Sequence, residues 1–141
     1  MGRRTAIRVS RQPHRSVTAV IDTSVLIDYL RGHPGAGQVL ERERARGPLH
    51  ASEITRLEVL AGMRSAEEHD TRSLLGTLIW HPVDAEIAER AGELGRQWLP
   101  SHHSIDGADL AIAATVLQAD AHLLTRNVKH FPMLVGLTSP Y

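Results

Sequence analysis

The alternation of short β-branched runs with longer helical segments constrains this chain most. Val17-Thr18-Ala19-Val20-Ile21 is such a run and ends at Asp22. A run of this length reads as a buried strand. Thr23 to Arg31 then carries Val25, Leu26, Tyr29 and Leu30 at helical spacing, before Gly32-His33-Pro34-Gly35 breaks the pattern. The same reading predicts a helix over 36–46 stopped by Gly47, a strand over 48–51, helices over 52–63 and 67–78, and a strand over 79–83. Pro82 weakens that third strand or confines it to an edge. Helices follow over 85–99 and 107–119, separated by a loop at 100–104. A fourth strand spans 122–125, and a last one is expected near 135–138. Strands separated by helices of this length build an α/β fold. The expectation is a central, mainly parallel sheet of four to five strands with helices on both faces.

Size and composition narrow the class. A chain of 141 residues suits one domain. It carries no cysteine, which removes disulfides, thiolate metal sites and cysteine nucleophiles, and fits a reducing, cytoplasmic setting. No stretch approaches the roughly 20 apolar residues of a membrane span, and no signal peptide is read. The formal charge is zero but uneven. Residues 1–16 hold Arg3, Arg4, Arg8, Arg11 and Arg15 without an acid, leaving 11 basic and 16 acidic residues in the rest. The expected organisation is a flexible basic arm over 1–16 and one folded domain over 17–141. The arm reads as a solvated tail, though arginines can also grip phosphates. The acidic body argues against binding nucleic acid by bulk charge.

Four acids stand where acids are awkward. Asp22 ends an apolar strand, Glu58 lies between Leu57 and Val59-Leu60, and Asp106 and Asp109 open the most apolar helix. A buried carboxylate is costly unless it is paired or binds metal. Arg56 lies two residues before Glu58 but points elsewhere on a helix, so Arg126 is the cation best placed to serve these acids. If the acids converge, mutual repulsion raises their pKa values until a divalent cation binds. Oxygen-only ligands favour Mg²⁺, with Mn²⁺ as substitute. Such a site hydrolyses phosphodiesters. Each acid also has a purely structural reading. Asp22 and Asp106 are good helix N-caps. Glu58 follows Thr55 at capping-box spacing, and Asp109 suits a first helical turn. In parallel sheets ligands bind beyond the carboxyl ends of strands, where Asp22 and Thr125-Arg126-Asn127 fall.

Four segments, taken in order, resemble the PIN-domain family and its VapC-type toxins. They are Val20-Ile21-Asp22-Thr23-Ser24-Val25-Leu26-Ile27-Asp28, Ile54-Thr55-Arg56-Leu57-Glu58-Val59-Leu60-Ala61-Gly62, Asp109-Leu110-Ala111-Ile112-Ala113-Ala114-Thr115, and Leu123-Leu124-Thr125-Arg126-Asn127-Val128-Lys129-His130-Phe131. The resemblance implies a PIN-like fold and a Mg²⁺-dependent endoribonuclease, the toxin of a type II toxin–antitoxin pair. Asp22, Glu58 and Asp109 would be its catalytic, metal-binding acids, with Asp106 an additional acid beside them. Thr125 would orient Asp22 or a water. Asn127 stands where relatives often carry an acid, so its contact with metal or water is weaker. Apart from the resemblance, Arg126 is read as a residue that contacts RNA. The implied partners are an RNA substrate, a cognate VapB-type antitoxin and a second copy of the chain.

The alternative from another class is an inactive PIN-like module that binds RNA or protein without cutting. A phospho-receiver domain fits poorly, because Ser52 follows the second strand and Thr125 ends the late one. A haloacid-dehalogenase-type phosphatase wants an acid two residues after Asp22, where this chain has Ser24. His102-His103, in the loop before Asp106, read as solvated, with metal or substrate contact as the functional option.

Overall fold

In the computed structural model, residues 16–141 are described. The basic arm therefore lies outside the description, apart from Ser16. The apolar alternation of the first strand decides the layering. β1 (Ala19–Ile21) turns Ala19 and Ile21 to one face and Val20 to the other, as the period-2 pleat requires. On the first face they join Val25 and Leu26 of α1 (Thr23–Leu30) and Val39 and Leu40 of α2 (Pro34–Arg44). Ala51 of β2 (Leu49–Ser52), Val59 of α3 (Glu53–Ala61) and Leu74 and Leu75 of α4 (Glu68–Leu75) complete this core. On the second face Val20 meets Ile112, Ala113 and Val116 of α6 (Gly107–Gln118), with Phe131 beside them. β3 (Ile79–His81) is the edge strand that Pro82 foretold, and α5 (Ala85–Trp98) packs on α6.

The sheet has four strands, all parallel, in the order β3-β2-β1-β4, with β4 spanning His122–Leu124. β1 is thus central, and its carboxyl end adjoins that of β4, where the Asp22 N–H donates to the Leu124 carbonyl at 2.9 Å. Parallel strands send their carboxyl ends to one edge of the sheet. Asp22, Ser52 and Thr125 consequently gather there, as the sequence reading expected of Asp22 and Thr125.

The expected last strand near 135–138 does not form. Phe131 is buried, the Leu134 N–H donates back to its carbonyl at 3.1 Å, and Gly136 takes φ +78°. A left-handed residue breaks an extended run. Met133, Leu134 and Leu137 spend their apolar surface against the second core instead. Several boundaries also shift, among them the end of β3, which stops at His81 before Pro82. α2 begins at Pro34, within the expected breaker, because proline fits the first helical turn and the His33 ring accepts the Gly35 N–H. α4 stops at Leu75, where Gly76 follows.

Candidate active site

Asp22 is 4 % exposed, a carboxylate almost fully withdrawn from water. Its two oxygens are separately engaged. Oδ1 accepts the Thr23 N–H at 2.9 Å, which makes Asp22 the N-cap of α1. Oδ2 accepts the Thr125 hydroxyl at 2.6 Å and the Ser24 hydroxyl at 3.1 Å. The Thr125 oxygen in turn accepts the Asn127 N–H at 2.9 Å, which commits its own proton to Asp22. Burial pushes the Asp22 carboxyl up from its ordinary value, and these hydrogen bonds oppose the rise.

Glu58 lies in the interior of α3, because Ser52, not Thr55, caps that helix through the Ile54 N–H. The Thr23 hydroxyl donates to Glu58 Oε1 at 2.6 Å, and its oxygen lies 3.1 Å from the buried Thr55 hydroxyl. α1 and α3 are therefore linked at the residue after Asp22. Arg56 turns away, as its helical position requires, to pair with Glu53 at 2.6 Å and to stack over Trp80.

Asp106 and Asp109 form a reciprocal cap. The Asp109 N–H donates to Asp106 Oδ1 at 2.9 Å, and the Asp106 N–H donates to Asp109 Oδ2 at 3.1 Å. His130 Nδ1 stands 3.2 Å from the same Asp109 Oδ2, and a protonated His130 favours the ionised forms of both Asp109 and Asp22. Burial, and secondarily the neighbouring Asp106 charge, pushes Asp109 up to about 6. Repulsion among the acids is thus not the main cause of the raised values, contrary to the sequence-based expectation; withdrawal from water is.

Asp22, Glu58 and Asp109 come from three elements, and each has its own proton-donating partner. Among the described residues, no three acid or histidine side chains stand close enough to hold a metal ion. The donor chemistry nonetheless suits a hard divalent cation: carboxylates withdrawn from water, with no sulfur and no cationic neighbour on Asp22 beyond His130. Arg126, expected as the cation serving these acids, pairs with Asp28 instead, at 3.2 Å. Its backbone N–H reaches Ser24 Oγ at 3.4 Å, so it sits one residue from the Asp22 network. His102 contacts Ser101 and packs edge-on against the Trp98 ring at the end of α5, and His103 contacts the Pro100 carbonyl; neither reaches the acids through these contacts. Sequence reasoning offered Thr23 or Ser24 only as helix caps, a place that Asp22 takes, and assigned no site role to either or to His130. Thr23 and Ser24 carried a signal, two hydroxyls directly after a strand-ending acid. His130 carried none, since only the 3₁₀ turn at Val128–His130 brings it to α6.

A central parallel sheet with a buried acid at the carboxyl end of its middle strand, flanked by acids on two helices, defines the PIN class of α/β domain. The PIN domain family model matches residues 19–132, and the chain belongs to that family. It is 42% identical over 123 residues to Ribonuclease VapC19 of Mycobacterium tuberculosis, covering 86% of this chain and 98% of the relative. It is 39% identical over 122 residues to Ribonuclease VapC10 of the same organism, covering 86% and 92%. Among solved structures, a toxin–antitoxin complex from Klebsiella pneumoniae superposes with a TM-score of 0.74 at 33% identity, covering 88% of this chain and 98% of that one. VapBC2 of Rickettsia felis, solved with a promoter DNA fragment, shares the fold at a TM-score of 0.72 and 22% identity, covering 86% and 96%.

Proposed function

We propose that the protein is a metal-dependent endoribonuclease, the toxin of a type II toxin–antitoxin pair, whose partner is a cognate VapB-type antitoxin. The observation that carries this reading is the buried Asp22, held by Thr125, Ser24 and the Thr23 N–H at the open end of the sheet. The 42% identity to a ribonuclease over 86% of the chain supports it, as does the likeness to a chain of a toxin–antitoxin complex.

Asp22, Glu58 and Asp109 would hold the metal, Mg²⁺ with Mn²⁺ as substitute. A bound divalent ion would polarise the phosphodiester and lower the pKa of a water. The chain's own residues do the rest. Thr125 and Ser24 fix the Asp22 oxygens, and the Asn127 N–H fixes Thr125. Thr23 aims the Glu58 carboxylate from the first turn of α1. The reciprocal cap with Asp106 holds Asp109 at the mouth of α6. Asp106 thereby serves as a helix cap and a positioning residue. Asn127 supports the site through its backbone.

One observation favours the second reading, a PIN-like module that binds without cutting: Glu58 and Asp109 are each engaged apart from Asp22. Single-turnover cleavage of an RNA with Mg²⁺, with Mn²⁺ and with chelator separates the two. Cleavage that requires the metal and disappears in Asp22→Asn supports the nuclease; binding without cleavage under all three conditions supports the module.

A further inference from the structure

Beside the acid site, four side chains from distant parts of the chain lock together. The Tyr141 hydroxyl donates to Asp28 Oδ2 at 2.6 Å, and Arg126 Nη1 donates to the same oxygen at 3.2 Å. The Arg126 guanidinium also lies over the Tyr141 ring, 4.7 Å from its centroid. The other side of that ring region rests on α2. His33 packs against it with centroids 4.9 Å apart, and a Cβ at Gly35 would fall 2.8 Å from the ring. Any residue but glycine at position 35 would push the ring away. The tail is thus fitted against α2, α1 and the segment after β4 at once.

A tail anchor alone does not require arginine at position 126. The ring, the phenol and Asp28 already form a closed contact. Arg126 directly follows Thr125, the residue that donates to Asp22, and its own N–H faces Ser24. Its side chain is 40% exposed and gives one nitrogen to Asp28. The remaining guanidinium N–H groups form a planar fork of the kind that binds phosphate. Stacking on one ring and pairing with one carboxylate remove the rotamer freedom that an arginine otherwise loses on binding.

We propose that Arg126 binds a substrate phosphate at the rim of the acid site, and that Tyr141 is a positioning residue that holds Arg126 there. This rests on the reading of the protein as an RNA-cleaving enzyme, and deepens it by naming a contact to the RNA backbone. The ligand is the phosphate of single-stranded RNA, so the contact adds affinity without base preference.

The test is fluorescence anisotropy of a short single-stranded RNA in chelator, followed by single-turnover cleavage on adding Mg²⁺. Arg126→Gln is expected to weaken RNA binding roughly tenfold and to reduce the slope of log affinity against log salt by about 0.7, the value for one phosphate contact on a single strand. Tyr141→Ala keeps the charge, so it is expected to weaken binding several-fold with the slope retained. In the Arg126→Gln background Tyr141→Ala is expected to add nothing, because it acts through the arginine. Tyr141→Phe keeps the stack and the fit against Gly35, and serves where the alanine variant folds poorly; it is expected to show a smaller loss of the same kind. Unchanged affinity and salt slope in Arg126→Gln would overturn the proposal. So would equal effects of Tyr141→Ala with and without Arg126, which assign Tyr141 to fold stability alone. A wild-type protein that binds RNA but never cuts it overturns the nuclease reading and leaves this contact standing; one that binds no RNA overturns both.

Discussion

At the residue scale, the protein concentrates hydroxyl donors on one carboxylate. Removing one shows what that arrangement is for. Thr125→Val keeps the shape but takes away the hydrogen bond to Asp22 Oδ2 and the acceptor for the Asn127 N–H. Leaving such groups unpaired in a buried site costs about 1–3 kcal/mol, so a chemical denaturation midpoint should fall accordingly. Cleavage should fall by roughly one to two orders of magnitude, as for other groups that orient a ligand. Asp22→Asn, Glu58→Gln and Asp109→Asn test the three acids directly. Each should nearly abolish cleavage, because each removes a charged ligand. Asp109→Asn should leave metal-free stability equal to or above wild type, because burial already disfavours its charge and the amide oxygen can still accept the Asp106 N–H. Asp22→Asn should lower it, because an amide nitrogen cannot accept the hydroxyls or N–H that both Asp22 oxygens now take. Full activity in Asp22→Asn or Asp109→Asn would remove those residues from the site. The phenol of Tyr141 offers a pH readout. Burial and the bond to Asp28 push it up to about 12, above the ordinary value of 10.0. Its contribution to stability is therefore complete below pH 10 and lost as pH rises towards 12. Ultraviolet titration of tyrosinate in a Tyr29→Phe background should place the Tyr141 midpoint near 12; a midpoint near 10 would mean the tail is not docked.

At the element scale, α6 is both core and mounting. Its apolar residues run along nearly every side, because α5 covers one side and the sheet another. Its first turn is held by the mutual cap of Asp106 and Asp109. Asn caps about as well as Asp, so Asp106→Asn should keep stability close to wild type. Asp106→Ala should lower it by about 1 kcal/mol and loosen Asp109. Thermal melts and cleavage rates of the two variants separate capping from charge. If Asp106→Asn loses activity while its melting temperature holds, the Asp106 charge acts at the site itself and the capping role assigned here is incomplete.

At the scale of the whole molecule, the acids sit at one edge of the sheet while the arginine-rich segment of residues 1–16 carries the compensating charge. A cation that binds the folded site alone stabilises the fold by mass action. At a hundredfold excess over its dissociation constant the gain is about 2.7 kcal/mol. Melting with millimolar Mg²⁺ or Mn²⁺ should therefore exceed melting in chelator. An unchanged melting temperature over that range would count heavily against a metal site.

The alternation of β-branched runs and amphipathic helices was enough to specify a parallel α/β sheet, its edge strand at Pro82 and the helices on both faces, because these follow from local periodicity and from the cost of exposing apolar surface. The strand-ending position of Asp22, and the apolar surroundings of Glu58 and Asp109, were likewise visible in one dimension. Sequence periodicity could not tell whether the apolar tail adds a strand or packs as side chains; Phe131 and Gly136 decide that only when a core exists to receive them. It could not pair Thr23 with Glu58 or His130 with Asp109, nor direct Arg126 to Asp28 and Tyr141. Those contacts join residues 35, 21, 98 and 15 positions apart. No helical or strand period links such positions, and only the close packing of α1, α3, α6 and the tail around the end of β1 brings them within hydrogen-bonding distance.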